Sequence, residues 1–246
     1  MKLKLRYGFH FCYGRDKTGR IASFHRGGGH KRLYRVIDFR RSFYYVWGKV
    51  IKIIKDPKRS APLFVIAYTN KVISYQLAID KVKVGDYIRA YNLGELEFLK
   101  KIGTSGFLTN FSIGVNICNL EYVPYTKGKI ARSAGVYAKL LKKYETEALV
   151  KLPSGEYRLF SLLCKATIGQ ISNKGHKEII IGKAGVSRRW GIRPHVRGIA
   201  MNPVDHPHGG RTNGGKIPVT PWGKLAKGVK TAKSRKLKKS IVNKSL

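Results

Sequence analysis

Polar and apolar side chains alternate from the start of the chain. Lys2, Lys4 and Arg6 fall on one side, and Leu3, Leu5, Tyr7, Phe9 and Phe11 on the other. A repeat of two is the signature of a strand with one covered face. Similar short runs return through the middle of the chain. Residues 46–54 end at Asp56-Pro57, residues 63–68 end at Asn70-Lys71, and residues 72–79 lead to a Gly85-Asp86 turn before 87–93. Residues 107–118 resume the β character around Gly114. Residues 148–152 and 156–163 flank Pro153-Ser154-Gly155, a hairpin signal, and 178–181 is one more candidate strand. The spacing of 136–144 suits either a helix or an exposed, lysine-rich strand. Many short strands at regular intervals predict a mainly β fold of small barrels or sandwiches, divided near 100–106.

The pattern stops at residues 187–216, SRRWGIRPHVRGIAMNPVDHPHGGRTNGGK, which hold five arginines, three histidines and a single acid, Asp205. Proline removes an amide donor and glycine loosens the backbone, so neither helix nor strand is expected there. Cations at this density cannot be buried without partners. The stretch therefore reads as lacking a fold of its own and as suited to a polyanion.

Charge sharpens that reading. The 246 residues include 50 Lys and Arg against 13 Asp and Glu, a formal net charge of +37, while 43% hydrophobic residues suffice for real cores. The first 42 residues carry 12 basic and 2 acidic side chains, and the last 61 carry 15 and 1. The chain thus divides into a basic, glycine-rich arm over 1–42, a foldable body over 43–185, and a basic arm over 186–246. Nucleic acid is the usual supplier of the missing counter-charge. Membrane insertion is not expected, since no apolar run approaches the roughly 20 residues of a spanning helix. The N-terminus has no apolar signal core. Cys12, Cys118 and Cys164 are odd in number and widely spaced, so neither a disulfide framework nor a zinc knuckle is expected. The glycine-rich 24–32 stretch lacks the GxxxxGK[ST] spacing of a nucleotide-binding loop.

The candidate chemistry is therefore RNA binding. In the first arm, Arg15, Arg20, Arg26, His30, Lys31, Arg32 and Arg35 are placed to meet phosphates, with the glycines allowing close backbone approach. In the second arm the candidates are Lys183, Arg188, Arg189, Trp190, Arg193, Arg197, Asn202, His206, His208, Arg211, Lys216, Trp222 and Lys224. Trp222, between a proline and a glycine, suits stacking on a base or ribose. Arg132 is a candidate contact on the body, and neighbouring Ser133 reads equally well as a turn residue. Asp205-His206-Pro207-His208 offers too few ligands for a structural metal site, and its sequence shows no proton for a histidine base to take. Its prolines, glycines and imidazoles favour an architectural loop that donates hydrogen bonds to RNA.

HRGGGHKRLYRVIDFRR (25–41), DPKRSA (56–61), ARSAGVYAKL (131–140), GKAGVSRRWGIRPHVRGIAMNPVDHPHGG (182–210) and PVTPWGK (218–224) together closely resemble the universal L-two family of large-subunit ribosomal proteins. The resemblance runs from about Gly14 to the lysine-rich end. It implies an OB-fold-like barrel over 43–105 and an SH3-like barrel over 106–185, with extended basic N- and C-terminal arms entering ribosomal RNA. It further implies no enzymatic activity and no cofactor or metal. The implied partners are large-subunit ribosomal RNA, neighbouring ribosomal proteins and the small subunit across the intersubunit face, with a supporting role near the peptidyl-transferase region. Typical members carry several tens of residues ahead of the glycine-rich arm that are missing here. They often read HPHGGGEGR where this chain has His206-Pro207-His208-Gly209-Gly210-Arg211-Thr212. Together with abundant Lys, Ile, Tyr and Phe, the later start suggests an organellar member in the mitochondrial matrix, with a bacterial or plastid origin as the alternative.

Overall fold

The computed structural model describes residues 5–8, 11–92, 101–210, 217–229 and 241–242. The chain forms two compact units, each assembled from parts distant in sequence. Unit 1 comprises residues 1–9, 32–180 and 236–246; unit 2 comprises 10–31 and 181–235.

Unit 1 is built on two antiparallel sheets. Two short strands, β1 (Arg6–Gly8) and β2 (Leu33–Arg35), pair antiparallel beside them. The first sheet consists of β3 (Gly48–Ile54), β4 (Leu63–Tyr68), β5 (Ile73–Leu77) and β6 (Tyr87–Ile88), in the order β5-β4-β3-β6. Val50 pairs with Ile66 and Lys52 with Val65, so the register slips between them. This bulge breaks the inside–outside alternation of β3, so that Ile51, Lys52 and Ile53 are exposed in succession. Gly48 is required where β3 meets β4, because a Cβ there would lie 2.6 Å from Cγ2 of Ile66. Val50, Leu63, Phe64, Ile66, Leu77 and Ile88 fill the core.

The second sheet takes β7 (Ser105–Phe107), β8 (Asn116–Cys118), β11 (Ala138–Lys143), β12 (Glu147–Lys151), β13 (Tyr157–Ser161), β14 (Lys165–Ile168) and β15 (Ile241–Val242), ordered β15-β13-β12-β11-β8-β14-β7. β9 (Leu120–Glu121) and β10 (Gly128–Ile130) form a separate ladder. Leu108, Phe111, Ile117, Leu140, Val150 and Phe160 close the second core. The expected hairpin is present: the Leu152 and Gly155 amides donate to Glu156 and Leu152, with Gly155 left-handed. The two sheets are stitched together by bridges from Ile79 to Ile171 and from Ala90 to Ser105. Buried Arg41 adds a further tie, donating to the Gln76 side chain and, at 2.9 Å, to the Gly103 carbonyl. This is a mainly β fold, consistent with an OB-fold-like and an SH3-like barrel.

Several local expectations are settled or corrected. Residues 136–144 adopt the strand alternative, with Ala138 and Leu140 inward. Residues 107–118 are not one strand. A 3-10 turn, Leu108–Asn110, and a left-handed Gly114 interrupt them. Residues 178–181 form no strand, because the Ile179–Ile181 run meets no sheet partner and Ile180 is 91% exposed. None of the described helices is long and apolar enough to cross a membrane.

Unit 2 corrects, over the described residues 187–210, the expectation that the stretch 187–216 lacks structure. Helix α1 (Ala184–Arg189) ends at left-handed Gly191. There the Ile192 amide donates to Ser187 and the Gly191 amide to Arg188, the paired bonds of a glycine-terminated helix. Just beyond, the two arms join. The Gly27 amide donates to Gly191 (2.9 Å), His30 to Arg189 (2.9 Å) and Arg193 to His25 (3.0 Å). Gly29 sits at this crossing with φ +87°, where a Cβ would lie 2.8 Å from both the Arg189 oxygen and the Gly191 nitrogen.

Candidate nucleic-acid interface

Unit 2 is rich in cations and poor in acids. Its two segments hold seventeen Lys and Arg against two acids, Asp16 and Asp205. Among its described residues His206 is the one buried side chain, so backbone hydrogen bonds rather than apolar burial hold it. Arg15, Arg20, Arg26, His30, Lys31, Lys183, Arg188, Arg189, Arg193, Arg197, Asn202 and Lys224 are all exposed, as the proposed RNA contacts require. Trp190 and Trp222 are also exposed. Arg211, Lys216 and most of the lysine-rich run fall outside the described residues.

The first arm folds back as a tight loop. The Ala22 and Ser23 amides both donate to Gly14, and Arg15 reaches the Gly19 carbonyl at 2.7 Å. Asp16 is turned inward to its own loop and accepts from the Thr18 hydroxyl and from the Thr18 and Arg20 amides. The Thr18 hydroxyl, foremost, holds the Asp16 carboxyl below its ordinary range. One of the two acids of unit 2 is thereby tied to its own backbone rather than to an arginine. In the second arm, Trp222 stands at the tip of a hairpin in which the Thr220 amide donates to Lys224, and its ring meets that of Phe24 at 5.7 Å.

The histidine loop is structural in a more specific way than expected. His206 packs its ring on Gly198, where a Cβ would lie 2.6 Å away, and its Nδ1 accepts the His208 amide at 3.0 Å. That geometry leaves Nε2 to carry the ring proton. Nε2 of His208 lies 3.0 Å from both the Val219 amide and the Ile217 carbonyl, and can serve one of them at a time, by accepting or by donating. Asp205 is exposed and does not orient His206, whose Nδ1 is engaged by the loop. Among the described residues no three His, Cys, Asp or Glu side chains gather as a metal site.

Three candidates belong instead to unit 1, where they meet two residues the sequence reading did not single out. Asp56, almost fully buried, pairs with Arg35 at 3.4 Å and Arg59 at 3.0 Å and accepts the Lys58 amide. Arg132 and Arg59 lie against the same Phe39 ring, at 4.7 and 5.6 Å. Burial, then the Arg59 charge, depresses the Arg132 pKa. Burial and Arg59 likewise lower Lys58, with Arg32 adding a smaller push against the opposing pull of Asp56. Arg35, Lys58 and Arg59 thus crowd one carboxylate, with Arg132 and Arg32 beside them. The signal for Lys58 and Arg59 was the basic Asp56-Pro57 turn itself. Arg35 is less available than the exposed candidates, because Asp56 already holds it, and buried His206 is less available still.

Known proteins resemble this chain along most of its length. Residues 3–90 match the family model described as Ribosomal Proteins L2, RNA binding N-terminal domain, and 101–223 match Ribosomal Proteins L2, C-terminal domain. The chain is 48% identical over 234 residues to the large ribosomal subunit protein uL2 of Rickettsia typhi, covering 94% of this chain and 84% of that one. The uL2 proteins of Rickettsia prowazekii and Rickettsia canadensis are each 49% identical over the same coverage. With both family domains matched in order along nearly its whole length, the chain belongs to the ribosomal L2 protein family.

Proposed function

We propose that the chain is a structural, non-enzymatic constituent of the large ribosomal subunit that binds its ribosomal RNA through unit 2 and through the Asp56 cluster of unit 1. The observation that carries this reading is the composition of unit 2: seventeen cations, two acids and exposed arginines, in a fold held by its backbone. Such a surface gains counter-charge from phosphates and releases condensed counterions as it binds. Contacts with neighbouring ribosomal proteins and with the small subunit, and support of the peptidyl-transferase region, follow from the family resemblance. So do barrel boundaries near 43–105 and 106–185. The relatives are bacterial and lend no support to the mitochondrial compartment expected from composition, so the reading is of a bacterial-type ribosome. A sucrose gradient of cell lysate tests it. The protein should co-migrate with the large subunit, and RNase treatment should abolish that migration. Persistence of the heavy fraction after RNase would refute the RNA-binding role.

A further inference from the structure

The first arm does more than present charge. Its folded loop and Arg193 of the second arm enclose an open cavity of about 530 Å3, lined by the Tyr13 and Phe24 rings, by Arg15, Arg26 and Arg193, and by the Gly27-Gly28 backbone. The volume lies within the roughly 300–1,000 Å3 range of small-ligand clefts. The lining contains no acid. Neither Arg26 nor Arg193 has a side-chain hydrogen bond or ion pair among the described residues.

The cavity is built rather than incidental. A Cβ on Gly14 would sit 2.1 Å from the Ser23 carbonyl oxygen, so the wall closes only with glycine there. Tyr13 and His25, both in the lining, hold φ at +46° and +55°, a region that bulky residues rarely occupy. Such backbone persists only where the surrounding structure holds it. His25 is braced in turn, meeting the His195 ring edge-on at 4.3 Å.

We propose that this cavity receives a single unpaired nucleotide of the ribosomal RNA, its base against Tyr13 and Phe24 and its phosphate among Arg15, Arg26 and Arg193. The proposal rests on the RNA-binding reading and refines it. A duplex presents phosphates but keeps its bases stacked, so aromatic faces inside a cationic recess fit a splayed base better than a helix backbone.

The test uses the full chain and purified large-subunit ribosomal RNA. Ultraviolet cross-linking followed by mass spectrometry should find an adduct on Tyr13 or Phe24, to one nucleotide that chemical probing reports as unpaired. Phe24→Ala should weaken binding roughly tenfold, in the range of one base stacked on an aromatic ring. It should leave the slope of log affinity against log salt unchanged. Phe24→Tyr should restore the affinity. Arg193→Ala should instead reduce the slope by about 0.7, the loss of one phosphate contact to a single strand. The proposal is overturned if Phe24→Ala binds within twofold of wild type, or if Phe24→Tyr is as weak as Phe24→Ala. It is also overturned if the adduct maps to a base-paired nucleotide. In those cases wild-type binding remains strong and salt-dependent. Absence of salt-dependent binding by the wild-type chain would instead remove the broader reading along with the cavity.

Discussion

Replacing Gly29 by alanine probes whether the two arms hold each other before RNA arrives. At φ +87° an L side chain costs about 1–2 kcal/mol for the left-handed backbone alone. The added Cβ would also lie 2.8 Å from the Arg189 oxygen and the Gly191 nitrogen, both main-chain atoms that cannot swing aside. Relief requires the strands to part, which breaks the bonds Gly27–Gly191, His30–Arg189 and Arg193–His25. At a net worth of about 1 kcal/mol each, the three bonds supply about 3 kcal/mol. A loss of about 2 kcal/mol should lower the hydrogen-exchange protection of those three amides about thirtyfold. The assay is hydrogen exchange on the free protein without RNA, wild type against Gly29→Ala, with β3 and β4 amides of unit 1 as the unaffected reference. Equal protection in the two proteins would refute the argument from steric fit. Unprotected exchange at these amides in the wild type would refute the clasp itself, and would return the arms to segments that order only on RNA.

Three further outcomes follow from unit 1. Asp56→Ala should cost about 3 kcal/mol in urea unfolding, because it strips the buried carboxylate from Arg35 and Arg59. Added phosphate should recover part of the loss, and a change below about 1 kcal/mol would show that the cations do not need it. Burial pushes the Cys118 and Cys164 thiols up to about 12, with Glu121 adding to the rise at Cys164, so both stay protonated, and protected, at pH 8. Iodoacetamide should therefore modify exposed Cys12 in the native protein and reach the other two only on unfolding, as intact mass will report. Ile180→Ser should leave the unfolding midpoint within about 0.5 kcal/mol of wild type, since the side chain is 91% exposed, and a larger loss would reveal packing the structure does not show.

Much of unit 1 was legible because its signals are local. The Pro153-Ser154-Gly155 turn declares its own hairpin, and the unbroken apolar run of residues 63–68 declares a strand covered on both faces. The failures share a cause, which is dependence on something far away. Residues 178–181 have strand-like composition, but β propensity measures fit to a sheet surface, and none is adjacent. Helix α1 is too short for a periodic signal, and its one sequence cue was the Gly191 that stops it. Arg35 and Arg26 look alike in the sequence. Only the position of Asp56, twenty-one residues downstream, separates an arginine committed to the fold from one left open.

The joining of the arms was the hardest feature to foresee, for a reason that bears on function. Residues 25–30 meet 189–193 through amides and carbonyls, which every sequence possesses, so no side-chain pattern announces the pairing. Charge alone predicts two mutually repelling segments. The structure resolves the conflict by assigning shape to the backbone and recognition to the side chains. Glycines at 29 and 191 let main chain meet main chain, and arginines 26, 188, 189 and 193 remain exposed. In that arrangement RNA need supply counter-charge but not a template, because the geometry that spaces the guanidinium groups is already fixed by hydrogen bonds that carry no net charge.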